Sequence, residues 1–444
     1  MHARNVDTAA NFPPTSVPDP YRRVSLRLVP FLMLCYVAAF LDRVNVGFAK
    51  LTMLHDLGIG EAAYGFGAGL FFVGYFLFET PSNVLMHRIG ARATLSRIMI
   101  LWAFISGAFA FVQAEWQFYT LRFLLGAAEA GFYPGVILYL TYWFPSARRA
   151  RVIALFICAI PLSGLLGGPL SGWILSSLHG SLSLHGWQWL FLVEALPSLA
   201  LGLLVLAYLD DTPNKSSWLS VEEKAAIQRD LDEDQSLTPR RAGWAGVLSG
   251  IVVLLSIVVF CQAMGQYGLS FWLPTLIAQA GAKDPLTVGL LSAVPFSVAI
   301  VCMLLSAWNS DRTNERRWHL AIAFLVGGVG LSASTFLTGN VPASMVALCI
   351  AAAGCYTVSA LVWSLPPLFL TGVGAAAGIA VINSFGSLAG FLSPFAIGWI
   401  RETTQSTNIG MLAISVFMMV GAVLMFIVPK PTTGGTARTP NMSR

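Results

Sequence analysis

The chain has 444 residues, 56% hydrophobic and only 11% charged, with a mean hydropathy of +0.71 and a formal net charge of +5. A soluble domain carries roughly 25% charge, so this composition excludes an ordinary soluble protein. The apolar runs are about 20 residues long, which excludes the ~10-residue alternating strands of a membrane barrel and leaves helices, the elements that satisfy their own backbone in lipid.

The first 25 residues are polar and Pro-rich and lack the charged and apolar regions of a cleaved signal peptide. The first span is therefore expected to open the mature protein. Twelve spans are predicted, over residues 26–48, 62–84, 93–113, 117–140, 150–177, 187–209, 245–278, 286–309, 318–338, 343–369, 374–398 and 408–428. The seventh is the longest, and an outer extension or a break near Gly265 to Gly268 is expected within it. One long polar stretch, about 210–244, separates spans six and seven. It holds a short helix with Ser220 as N-cap and Glu223 at the capping-box position, and it reads as a linker. The resulting domains are a tail (1–25), a six-helix bundle (26–209), the linker (210–244), a second bundle (245–428) and a closing tail (429–444). The fold class is an all-α polytopic membrane protein with twelve transmembrane helices in two bundles.

Orientation follows from the basic residues in loops. The amino terminus carries Arg4, Arg22, Arg23 and Arg27. Arg88, Arg92 and Arg97, then Arg148, Arg149 and Arg151, follow on the same side. Lys215, Lys224, Arg229, Arg240 and Arg241 lie in the linker; Arg312, Arg316 and Arg317 come next, then Lys430, Arg438 and Arg444. The opposite side has only Lys50, Lys283 and Arg401. Both termini are therefore expected in the cytoplasm. The positive charge belongs to these loops and gives no reason to invoke nucleic acid. Arg88 and Arg92 in NVLMHRIGAR, after span two, recur at the same spacing as Arg312 and Arg316 in AWNSDRTNER, after span eight. A duplicated six-helix unit leaves such a repeat. All six cysteines fall in apolar runs without metal-ligand spacing, so they read as core residues. No cofactor is implied.

Charges inside a span cost roughly 2.5–3.5 kcal/mol each at its centre on insertion scales, so those that occur there point to use. Asp42 and Arg43 stand side by side in CYVAAFLDRVNVGFAK, and Glu79, Glu129 and Glu194 are the other intramembrane carboxylates. An alternative places the Asp42–Arg43 pair at the helix end, wetted by the headgroups. An isolated carboxylate in a low-dielectric site suits a group that picks up and releases a proton. Glu129 lies among small residues and seven positions from Arg122, about two turns on one face; an Arg122–Glu129 packing bridge is the competing reading. Arg43 offers a permanently charged planar fork to a carboxylate. A bridge to Asp42 competes with that role, although adjacent helical residues point about 100° apart. Asn45 extends the polar face. Tyr75 in span two, Gln262 and Gln266 one turn apart in span seven, and Asn383 in span eleven are candidate ligands for a polar substrate, with ordinary interhelical hydrogen bonds as the alternative. Glu79, before Thr80 and Pro81, reads as a gating residue near the cytoplasmic end, and Glu194 is read in the same way. Gly164, Gly168 and Gly172, with Gly386 and Gly390, form small faces for close helix packing. Trp143, Trp187, Trp189 and Trp399 read as interface anchors.

These motifs resemble the major facilitator superfamily. NVLMHRIGAR is similar to its loop pattern G-x-L-x-D-R-x-G-x-R, with Asn83 for the first Gly and His87 for the Asp; Asp311 keeps the acid in the second half. RFLLG (122–126), GLLGGPLSG (164–172) and the twelve-span plan add to this. DRVNVGFA, YFLFETPSN, RFLLGAAEAGFYPG, SWLSVEEK and GIAVINSFGSLAGFLSP resemble the anion:cation symporter family within it, especially bacterial tartrate-, phthalate- and sugar-acid-like permeases. The resemblance implies a non-enzymatic, monomeric transporter in the bacterial inner membrane, taking up a small organic anion with protons by alternating access. It implies Asp42 and Glu129 as the proton-coupling pair. Arg43, Asn45, Tyr75, Arg122, Gln262, Gln266 and Asn383 fall to the substrate, and Arg88, Arg92, Asp311, Arg312 and Arg316 to loop gating. A proton-coupled exporter or drug antiporter on the same fold, a uniporter, and a nutrient sensor are the other functions considered.

Overall fold

A computed structural model describes residues 19–237, 249–370 and 373–429. Arg4, Arg240, Arg241, Lys430, Arg438 and Arg444 lie outside the described residues, as does the side chain of His87, so the consequence of that substitution is not read from the structure. Twelve helices among the described residues are long and apolar enough to cross a membrane. Numbered as spans 1–12, they are Pro20–Leu57, Glu61–Met86, Ala91–Phe111, Glu115–Thr141, Ser146–Ser177, Gly186–Tyr208, Gly250–Ala280, Pro285–Thr313, Arg317–Phe336, Val341–Phe369, Ala377–Thr404 and Thr407–Ile427.

Three spans of the first half are interrupted beside the molecule's centre. Span 1 bends at Asn45, between helices Pro20–Val44 and Val46–Leu57. Span 4 breaks after Glu129, where Ala130 leaves helical geometry and Gly131 takes φ +87°, a left-handed conformation that only glycine adopts without strain. Span 5 is jointed at Cys158. Span 7, by contrast, is one helix from Gly250 to Ala280, so of the two readings of its length the break at Gly265 to Gly268 is absent. Those glycines serve packing instead: a Cβ on Gly265 would meet the Met418 sulfur at 2.4 Å.

The two halves meet along two seams, span 2 against span 11 and span 5 against span 8. Exchange of equivalent spans maps one seam onto the other, which is the relation a duplicated six-helix unit requires. Both seams are tight at the end of the molecule remote from the termini. A Cβ on Gly168 would fall 2.7 Å from the Gly289 carbonyl oxygen, and one on Gly65 would fall 2.5 Å from that of Pro394. Of the second small-residue pair, Gly390 faces Phe72 across the seam, whereas Gly386 faces Val259 of its own half.

The polar stretch between the halves is docked on the first half. Its helix Val221–Leu237 is held by Tyr21 Oη donating to Asp230 (3.0 Å) and by an Arg23–Glu223 pair (3.4 Å). The Ser220–Glu223 capping box forms as expected. Trp143 is fully buried and stacks on Trp218 at 5.7 Å, and Trp187, 2% exposed, donates to Asp56. Neither is a lipid anchor: each indole lies inside the protein, against a partner supplied by another segment.

Candidate functional site

Between the halves lies a cavity of about 110 Å³, lined by Arg43, Tyr75, Gln262, Gln266 and Asn383 among others. Among the described residues, Arg43 is the one cation in its wall. The bend at Asn45 ends the first helix of span 1 just after it, so the guanidinium sits at the cavity's middle, enclosed by the rings of Phe40, Phe71 and Tyr75 at 4.6, 4.8 and 5.5 Å.

Arg43 is paired within the chain, and its partner is not Asp42, the bridge that competed with a substrate role. Its Nη2 donates to Glu129 Oε2 at 2.6 Å and its Nε to the same oxygen at 3.2 Å. The Glu129 side chain is fully buried and that of Arg43 is 8% exposed. The span 4 break sets the carboxylate at a helix end beside span 1. Glu129 Oε1 has no hydrogen-bond partner.

Arg122 corrects two expectations. It does not line the cavity, and it does not bridge to Glu129. Its Nη1 donates to the Arg43 carbonyl (3.4 Å) and its Nη2 to that of Ala68 (3.3 Å). Two helical turns put Arg122 and Glu129 on one face but too far along the axis to meet, so Arg122 ties spans 1, 2 and 4 together behind Arg43. Asn45 is also off the main cavity; it lines a separate small void.

Asp42 points away from the cavity, into the first bundle. It accepts from Ser106 Oγ at 2.6 Å and from Ser198 Oγ, and is 1% exposed. The roughly 100° between neighbours on a helix thus sends Arg43 to the cleft and Asp42 to the bundle core. Glu194 corrects a third expectation. It is no gating residue near the cytoplasmic end: span 6 starts at the remote end, and eight residues at 1.5 Å rise put Glu194 about 12 Å inside. It is fully buried and accepts from Ser171 Oγ at 2.6 Å.

In span 7, Gln262 Nε2 donates to Gln266 Oε1 at 2.5 Å, so the two amides form one cavity-facing unit. Asn383 Nδ2 reaches both oxygens of Glu79 (3.1 and 3.2 Å), which links the halves across the span 2–span 11 seam on the termini side of the cavity. Tyr36, Tyr133, Ser359, Trp363 and Ser387 also line the cavity and were not singled out from sequence. Helical periodicity would have found two of them, since Tyr36 lies two turns before Arg43 and Ser387 one turn after Asn383.

The remote end carries a second polar cluster, also missed. Lys50 Nζ lies 2.8 Å from Glu61 and 3.2 Å from the centre of the Trp272 ring, which belongs to the other half. Glu61 also pairs with Arg401 at 2.8 Å, and Glu402 accepts from the Ala62 backbone N–H (2.7 Å), capping span 2 from the opposite bundle. At the termini end, Arg92 donates to the Leu206 carbonyl, and its backbone N–H to Asp211. Asp311 pairs with Arg316 at 2.9 Å, Arg312 lies over Trp308, and Arg88 is exposed. All five of these loop residues are remote from the cavity.

Residues 32–394 match the model of the Major Facilitator Superfamily. A protein of Agrobacterium vitis, named provisionally as a tartrate transporter, is 46% identical over 93% of this chain and 96% of its own length. A protein of Acinetobacter baumannii named as a quinolone resistance transporter is 41% identical over 92% and 95% respectively. Among solved structures, the inward-open xylose transporter XylE of E. coli superposes with a TM-score of 0.74, covering 93% of this chain and 98% of that one at 14% identity.

Proposed function

The chain belongs to the major facilitator superfamily, and on that footing we propose that it is a secondary transporter taking up a small organic anion together with protons. The observation that carries this reading is the Arg43–Glu129 pair at 2.6 Å, in which Arg43 lines the central cavity and Glu129 lies buried behind it. A guanidinium cannot be deprotonated and recognises a carboxylate bidentately. Here the protein's own carboxylate occupies it. An incoming anion that takes Arg43 displaces Glu129, which is then a buried charge without its cation. Such a charge costs several kcal/mol, and binding one proton removes it. Substrate entry and proton uptake are thereby linked at one guanidinium. The Tyr75 hydroxyl, the Gln262–Gln266 unit and Asn383 are placed to bind the remaining oxygens of a hydroxy- or dicarboxylic acid.

Asp42 is assigned the second proton. Its hydroxyl donors, Ser106 and Ser198, come from spans 3 and 6, so its charge state bears on how span 1 seats in its bundle. Access alternates by rocking of the halves about the two glycine seams. In this structure the remote end is closed by the Lys50–Glu61–Arg401 cluster. The bias of basic residues toward one set of loops supports reading that end as outside the cell and both termini as cytoplasmic, in a bacterial inner membrane. A monomer is the working unit in this reading, which the lining of the cavity by residues of one chain supports.

The relative named for quinolone resistance supports a second reading, export, and one assay separates the two. Proteoliposomes holding the protein are offered labelled tartrate, phthalate and sugar acids with an imposed inward proton gradient, then with a protonophore. Accumulation of an acid that the protonophore abolishes supports symport. No acid accumulated, with gradient-driven movement of a quinolone, overturns it and leaves Arg43 without the assigned role.

A further inference from the structure

Glu194 takes no part in the cavity, yet it is a fully buried carboxylate bonded, through one oxygen, to a single serine hydroxyl. Its other oxygen has no hydrogen-bond partner, and neither polar atom of the Asn45 side chain has one. The Asn45 amide lies beside the Glu194 carboxylate, at a geometry short of a hydrogen bond. The four groups form a ladder on two helices: Glu194 and Ser198 are one turn apart on span 6, opposite Asn45 and Asp42 on span 1. Ser198 closes the rung to Asp42. The open rung, Asn45 to Glu194, holds the three unpartnered atoms. Buried polar atoms left unpaired are destabilising and are commonly met by an internal water.

Next to this rung is a void of about 10 Å³, the room one water needs. Asn45, Ser163, Ser171 and Ser270 contribute its polar lining, and it lies on the span 5–span 8 seam where the halves meet. Of the titratable groups on the helices packed against span 6, Asp42 is the one that faces Glu194. Span 5 contributes Ser171, and span 3 presents Ser106 and Trp102 toward Asp42. Among the described residues no Lys, Arg or His is bonded to Asp42 or Glu194.

We propose that Glu194 is a third proton-carrying acid, passing protons between the span 5–span 8 seam and Asp42 by a route separate from the substrate cavity. An O–H bond of the Glu194 carboxylic acid breaks, and one forms on the Asp42 carboxylate across water held at Asn45. The negative charge left on Glu194 is refilled by a proton delivered from the seam through water and the Ser171 hydroxyl. No electrons change hands. The inference rests on the proton-symport reading above, and it explains how Asp42 exchanges protons although it does not line the cavity.

The test uses the full chain in proteoliposomes with labelled tartrate, an internal pH dye, and two measurements: gradient-driven accumulation, and tartrate–tartrate exchange, which moves no net proton. Glu194→Gln is expected to lower accumulation and proton flux at least tenfold, change exchange less than twofold, and move the pH profile of uptake. Glu194→Asp is expected to restore proton flux in part. Equal loss of exchange and accumulation in a folded Glu194→Gln protein, or no rescue by Asp, overturns the proposal in favour of a packing role. Should Glu194→Gln fail to fold, Ser171→Ala decides: slowed proton flux with exchange intact supports the route, and wild-type flux overturns it. Wild-type coupling with an unaffected Glu194→Gln rejects this inference alone. A wild type that accumulates none of the acids rejects the symport reading, and this inference with it.

Discussion

Replacing Glu129 by Gln separates competition from support at Arg43. In the structure Glu129 accepts two bonds from Arg43, at 2.6 and 3.2 Å, in a buried site. A hydrogen bond between charged groups contributes about 1.5–3 kcal/mol net. At about 1.4 kcal/mol per factor of ten, a substrate carboxylate spared that displacement gains roughly 10- to 150-fold in affinity. Glu129→Gln is therefore expected to bind tartrate, or whichever acid the transport panel identifies, one to two orders of magnitude more tightly at basic pH. Its binding should vary less with pH, since the proton uptake linked to binding is lost. Calorimetric titration of the detergent-solubilised protein at pH 6 and pH 8 measures both effects. Gradient-driven accumulation should fall to the level of passive exchange. Weaker binding at both pH values, by the amount seen in Arg43→Ala, would refute the reasoning: Glu129 would then position Arg43 and not compete for it.

Asp42→Asn is expected to abolish proton-driven accumulation while retaining exchange of labelled acid in counterflow; proton-driven uptake at the wild-type rate would remove Asp42 from the coupling. Arg401→Ala removes the cation that holds Glu61 across the remote end. In a background without the six native cysteines, a Thr275→Cys reporter should react several-fold faster with a membrane-impermeant maleimide once Arg401 is replaced, because Thr275 is 5% exposed with that end closed. An unchanged labelling rate would show that the glycine seams alone keep it shut. Gly168→Leu must push spans 5 and 8 apart, since even a Cβ falls 2.7 Å from the Gly289 carbonyl oxygen. Overpacking of this kind costs about 1–3 kcal/mol or more, and uptake should be lost while membrane insertion, followed by fluorescence of a fused reporter, stays normal.

The sequence alone determined the membrane class, the twelve helices and the tightness of the Gly164–Gly168–Gly172 face. Hydropathy and small-residue spacing are local properties that lipid and close helix packing read directly. Arg43 could also be recognised as a functional charge, because a cation inside a span is costly wherever its helix lies. Who answers that charge was decided only by tertiary structure. Asp42, its neighbour in the chain, turns 100° away into the bundle; Glu129, 86 positions later, turns in, because span 4 breaks at Ala130–Gly131 and seats its end beside span 1. Arg122 looked like a partner for Glu129 by periodicity, but axial rise separates them. Lys50 and Arg401 looked like solvated loop residues. They become a closing cluster only when spans 1, 2, 7 and 11 converge, a contact between the halves that no local pattern encodes.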